Sequence, residues 1–167
     1  MGEEKIVIEN LELGTNHESS AVVINCVDPR LPRALGGAYE FMIKKGFMPM
    51  AEDGNPRSAE SIVYFMEHID YFTFVGGGRV LTKTGHELET ALIDIRAGKA
   101  FHKAPRIIVI SHSECGASIH NGEEPKDGDW KTMKCAELEE ALKVAKQFGI
   151  PVHILYVEHK TRRMSEV

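Results

Sequence analysis

Two short stretches of this chain carry side chains that bind soft divalent metals. One is Cys26-Val27-Asp28-Pro29-Arg30; the other is His112-Ser113-Glu114-Cys115-Gly116-Ala117. Cys26, His112 and Cys115 together offer two thiols and one imidazole. That is the donor count of a catalytic zinc site, with three protein ligands and a fourth position left free. His112 and Cys115 lie three residues apart, so a single turn presents both to a common ion. Zinc held this way lowers the pKa of water and supplies a hydroxide for attack on an electrophilic carbon. Two thiolates cancel the charge of the ion, so the centre is a weaker Lewis acid than a tris-imidazole site, and its activity is expected to rise toward alkaline pH. Iron or cobalt accepts the same donors. Asp28 and Arg30 are spaced to form a charge-assisted pair beside the metal. Paired, Asp28 stands off the ion and accepts a hydrogen bond from the hydroxide; released, it is a fourth ligand that closes the site. The sequence leaves both states open.

These groups meet only if the elements before them converge. Each stretch follows a short, apolar, β-branched run, the pattern of a strand buried on both faces. The runs are Ala21 to Asn25 and, just after Pro105, Arg106 to Ile110. Two further strands are expected at Phe72 to Val75 and Val152 to Val157, and Lys5 to Glu9 reads as an edge strand or an arm. Helical patterns lie between them. One spans Pro32 to Lys45, with Gly36-Gly37 weakening its first half. A second covers Ser58 to Ile69, with Ile62, Phe65, Met66 and Ile69 inward. A third starts at the capping box Thr84-Gly85-His86-Glu87 and buries Leu88, Ala91, Leu92 and Ile95. The last runs from Trp130 to Phe148, buries Leu138, Ala141, Leu142 and Ala145, and is ended by Gly149 and Pro151.

Strands separated by helices imply an α/β class, with a doubly wound, mainly parallel sheet of four to five strands flanked by helices. Such sheets bind ligands outside the carboxyl ends of their strands, where both stretches fall. Residues 1–167 read as a single domain, with 31–71 a helical insertion and 121–129 a surface loop.

Composition narrows the function classes. Of the 167 residues, 43% are hydrophobic and 27% charged, the profile of a globular protein with an ordinary core. A net charge of −5, without a basic stripe, argues against nucleic acid. No apolar run of signal-peptide or membrane-spanning type occurs, so the expected location is cytoplasmic, with no membrane partner. Three cysteines in a reducing compartment argue against disulfides; Cys135 shares the inward stripe of Leu138 and Leu142 and reads as core. Lys160-Thr161-Arg162-Arg163 reads as a solvated tail end, and Met42, Met48 and Met50 as core or interface filling. Gly76-Gly77-Gly78 lacks the spacing of a phosphate loop and reads as a tight turn near the crevice. Gly116 is expected to let backbone approach the site, and Glu114 to face solvent. His17 and His120 are candidate proton carriers that nothing in the sequence places; the remaining histidines read as surface or core.

Cys-x-Asp-x-Arg followed far downstream by His-x-x-Cys-Gly resembles the signature of the β-class carbonic anhydrases. The resemblance extends through Gly76-Gly77-Gly78, the Thr84 helix, Ile107 to Ala117 and the last strand, about half the chain. It implies Cys26, His112 and Cys115 as zinc ligands, one ion per chain, and Asp28 with Arg30 as a catalytic dyad. It also implies reversible hydration of carbon dioxide to bicarbonate, and assembly as homodimers or multiples of dimers. The chain departs from the family pattern in four respects. Val75-Gly76-Gly77-Gly78 stands where an Arg-Asn-Ala-Gly-like turn is usual, and the stretch from Arg30 to Phe72 is longer than in compact members. A helical N-terminal arm is not evident, and His17 falls about where plant-type members carry a substrate-contacting glutamine. Two rival readings follow: a zinc hydrolase of carbonyl sulfide or carbon disulfide, and a zinc-stabilised binding protein without turnover.

Overall fold

The structure is a computed structural model that describes residues 18–30, 32–125 and 127–167. The strand or arm expected at Lys5 to Glu9, and His17, lie outside the described residues. Five strands form one sheet in the order β2-β1-β3-β4-β5: β1 (Val22–Cys26), β2 (Asp70–Phe74), β3 (Ile107–His112), β4 (Val152–Glu158) and β5 (Arg163–Glu166). The first four are mutually parallel and β5 runs antiparallel to β4. This is the expected doubly wound α/β architecture.

β1 and β3 are buried along their whole length because helices cover both faces. Val23, Ile108 and Ile110 face one core with α1 (Pro32–Lys44) and α2 (Ala59–Glu67). Val22, Ile24, Ile107 and Val109 face the other, with α3 (His86–Phe101) and α5 (Trp130–Ala145). The period-2 alternation of the strands thus feeds two separate cores. Ser58 caps α2 by accepting from the Ser61 N–H at 3.0 Å, and Asp129 caps α5 by accepting from the Thr132 N–H at 3.0 Å. Among the described residues no helix is long and apolar enough to cross a membrane.

Three expectations are corrected. Thr84 caps nothing: α3 begins at His86 after Gly85, whose φ of 71° with ψ of −147° is a conformation that glycine adopts at low cost and that carries the chain past the expected start. The basic cluster at Lys160 to Arg163 is no loose tail. It forms the turn into β5, and Met164 packs on the α1 core. Cys135 is only half-buried; its neighbour Lys134 takes the fully buried place on α5. There the Lys134 ammonium donates to Ser118 Oγ at 2.6 Å and to Glu137 Oε2 at 2.9 Å, which satisfies a charge that burial would otherwise penalise heavily.

Candidate metal centre

Parallel pairing of β1 with β3, in the register Val22↔Ile107 to Ile24↔Val109, sets the carboxyl ends of the two strands side by side. Cys26 is the last residue of β1 and His112 the last of β3. Beyond His112 the backbone turns at Glu114, φ 53°, and delivers Cys115 to the start of the short helix α4 (Gly116–His120). The three residues are buried and bring one ligand atom each within 4.8 Å of one another.

Gly77 lets the strands close up behind this cluster. A Cβ there would lie 2.8 Å from the Ile110 carbonyl oxygen and 3.1 Å from the Cys26 nitrogen, at a φ of 59°. The Gly76-Gly77-Gly78 turn is therefore a packing device between β1 and β3. Gly116, expected to serve that purpose, has nothing within 4 Å of its Cβ position.

The donor atoms are prepared for a cation. The Cys26 sulfur accepts backbone N–H bonds from Asp28 and Gly76, and the Cys115 sulfur accepts one from Ser118. Between the two sulfurs a hydrogen bond from Cys26 pulls the Cys115 thiol far below its ordinary value and pushes Cys26 up, with burial raising both. A bound metal takes the place of that shared proton. His112 Nδ1 lies 2.8 Å from the Ser113 carbonyl oxygen, which can only accept, so Nδ1 carries the hydrogen and Nε2 the lone pair. Nε2 is buried and has no hydrogen-bond partner among the described residues. An orphaned imidazole nitrogen beside two sulfurs fits zinc.

Asp28 stands next to this cluster without joining it. Arg30 donates from Nη2 to Oδ2 at 2.6 Å and from Nε to Oδ1 at 2.9 Å, and its backbone N–H adds 2.9 Å to Oδ1. These bonds, with the guanidinium charge, lower the Asp28 pKa from 3.8 to about 2. Arg30 in turn donates to the Glu114 carbonyl oxygen at 2.9 Å and pairs with the Glu114 carboxylate at 3.4 Å. Glu114, expected to face solvent, thus anchors the Asp28–Arg30 pair to the loop carrying His112 and Cys115.

His159 escaped the sequence reading. Its Nε2 lies 2.9 Å from His112 Nδ1, where it accepts from the hydrogen that Nδ1 shares with Ser113. Burial lowers the His159 pKa and keeps the ring neutral, as an acceptor requires. Ser113 Oγ accepts from the His159 backbone N–H at 2.9 Å and donates to Glu158 Oε1 at 2.8 Å, which fixes the loop after β4. The signal available was position: His159 follows the fourth expected strand at the same sheet edge as Cys26 and His112. Asp28, His112 and His159 also bring ligand atoms within 4.8 Å. In that set Asp28 is occupied by Arg30 and His159 by His112, so the cysteine-containing set is the better metal centre. His120, at the end of α4, is exposed, and His17 lies outside the described residues.

No family model and no curated protein matches the sequence. Several solved structures are similar in fold. A β-carbonic anhydrase from Trichomonas vaginalis is 13% identical, over 95% of this chain and 87% of that one, with a TM-score of 0.47. A carbonic anhydrase from Glaciozyma antarctica is 13% identical over 93% and 85%, TM-score 0.46. A carbon disulfide hydrolase in its apo form is 13% identical over 89% and 78%, TM-score 0.39. All three likenesses are at 13% identity.

Proposed function

We propose that this chain is a zinc enzyme that reversibly hydrates carbon dioxide to bicarbonate, with Cys26, His112 and Cys115 as ligands and Asp28 with Arg30 as its dyad. The observation that carries the reading is the juxtaposition of a three-donor cluster with an aspartate already held aside by its arginine. Zinc supplies a Lewis acid that brings the ionisation of water toward neutral pH. A divalent ion would balance the two thiolates, while Arg30 offsets the charge of Asp28 and pairs with Glu114 beside it. With its pKa near 2, Asp28 is a carboxylate at every working pH and acts only as an acceptor. It orients the nucleophile by taking its hydrogen bond, while Arg30 and Glu114 fix where that acceptor sits. His159 and Ser113 hold the His112 ring in the tautomer that leaves Nε2 free to bind. Assembly as a homodimer or a multiple of dimers belongs to the same reading and is checked by light scattering.

The test is metal analysis and stopped-flow carbon dioxide hydration on one sample. One zinc per chain with turnover well above the buffer rate is the expected result. Metal-loaded protein without hydration, or sulfide release from carbon disulfide outpacing hydration, overturns the proposal.

A further inference from the structure

Between the β4–β5 hairpin, α1 and the Asp28–Arg30 loop lies a cleft of about 780 Å³. Its size does not suit a triatomic gas or its hydrate. If each heavy atom takes about the 30 Å³ of a liquid water, bicarbonate fills on the order of 100 Å³. The cleft instead falls in the range of roughly 300–1,000 Å³ that holds organic ligands.

Its charge also runs against that of the chain. The protein carries −5 overall, yet the cleft presents the cations Arg30, Arg57, Lys160, Arg162 and Arg163 against one carboxylate, Glu114, among the described lining residues. Arg30 is committed to Asp28 and Glu114, and Arg57 to Glu40. Arg162 and Arg163 have no ion pair among the described residues, and the cross-strand neighbour of Arg163, Glu158, is already accepting from Ser113 and Tyr156. Arg162 is moreover held at φ 55°, a backbone state that costs a non-glycine residue. Three cations within a four-residue turn repel one another, and an acidic protein gains no solubility from them. What they supply is a field focused into a concave site.

The floor is apolar and open. Gly37 faces Met164, whose sulfur would sit 3.2 Å from a Cβ at that position, and Ala34 and Val157 complete the surface. No Phe, Tyr or Trp ring lines the cleft among the described residues, and the His159 imidazole is turned to His112, so the cleft offers no free platform for stacking a nucleobase.

We propose that this cleft binds a small organic phosphate ester bearing two or more negative charges, held by Lys160, Arg162 and Arg163 over the Gly37–Met164 floor. This goes beyond carbon dioxide hydration and does not depend on it.

Isothermal titration calorimetry on the full chain as purified, at low ionic strength, tests it with inorganic pyrophosphate and with fructose 1,6-bisphosphate. Saturable binding of both at one site per chain is expected, with the ester at least as tight because it also covers the apolar floor. Arg162→Gln combined with Arg163→Gln should weaken both by about tenfold or more, since each charge-assisted contact carries roughly that factor. Arg96→Gln combined with Lys146→Gln removes the same charge from the opposite layer and should leave affinity within about twofold, as screening predicts for remote charges. Should the arginine pair fail to fold by circular dichroism, Lys160→Gln in the same turn provides the weakened variant. Absence of saturable binding, equal loss in the control pair, or exclusion of the ester while pyrophosphate binds overturns the proposal. So does affinity that vanishes on zinc removal yet ignores the arginine changes, because the anion is then a metal ligand.

Discussion

Arg30→Gln asks whether a guanidinium keeps the site open. Arg30 gives Asp28 side-chain contacts at 2.6, 2.9 and 3.2 Å and draws its pKa from 3.8 to about 2. A difference of that size corresponds to roughly 2 kcal/mol between the charged and neutral carboxyl. The Asp28 side chain is 10% exposed but that of Arg30 is 46% exposed, so solvent screening leaves about 1–1.5 kcal/mol. Removing it shifts the balance between a held and a released Asp28 by about 5–10-fold. The sign with pH follows. This stabilisation is present above the unfolded carboxyl pKa of about 3.9 and is lost as pH falls through about 2, so at neutral and alkaline pH the variant's deficit is flat. The assay is stopped-flow hydration with metal content, paired with the visible spectrum of the cobalt-substituted protein. Metal content should hold, kcat/KM should fall by about 5–10-fold, and the cobalt spectrum should move toward four protein ligands. Wild-type turnover with an unchanged spectrum refutes the reasoning.

Gly77 and Gly116, of which the sequence reading gave the close-approach role to Gly116, should behave in opposite ways. Gly77→Ala sets a Cβ 2.8 Å from the Ile110 carbonyl at a left-handed φ and should cost about 3 kcal/mol or more in urea unfolding. Gly116→Ala meets open space at a helix start and should be neutral or stabilising by up to about 1 kcal/mol. Lys134→Ala leaves Glu137 without its buried partner and should cost about 3 kcal/mol, whereas Lys134→Met with Glu137→Leu should recover most of the loss in the same unfolding assay. Metal content by mass spectrometry should fall from one ion per chain to near none in Cys26→Ser and stay intact in Cys135→Ser. Equal loss in both would place the ion elsewhere.

The strands, and the clustering of Cys26, His112 and Cys115, were legible in the sequence because both are written locally. A β-branched apolar run marks β1 and β3, and the reactive residues follow each run at once, so their placement at the sheet edge needed only the parallel topology. What was missed depends on relations across the chain. His159 shows no motif, since its role arises from β4 lying next to β3. Lys134 occupies a buried helical position that its residue type argues against, and only Ser118 and Glu137 make that tolerable. β5 is short and polar, with Met164 as its inward anchor, so nothing in its composition distinguishes a strand from a tail. At Thr84 the local signal was present but lost to the positive φ of Gly85. Glu114 looked solvent-facing because a carboxylate between two ligands has no partner until Arg30 arrives from another loop.

The side-by-side ends of β1 and β3 have a kinetic consequence. Cys26 and the His112–Cys115 pair are far apart in the chain, and β2 with α1, α2 and α3 is made between them. Neither half of the donor set is complete until the central parallel pairing has formed, and such long-range pairing is the slow part of folding. On the proposed function zinc is therefore acquired late, by a chain whose sheet already exists, and the rate of metal uptake during refolding becomes a clock for the closure of β1 onto β3.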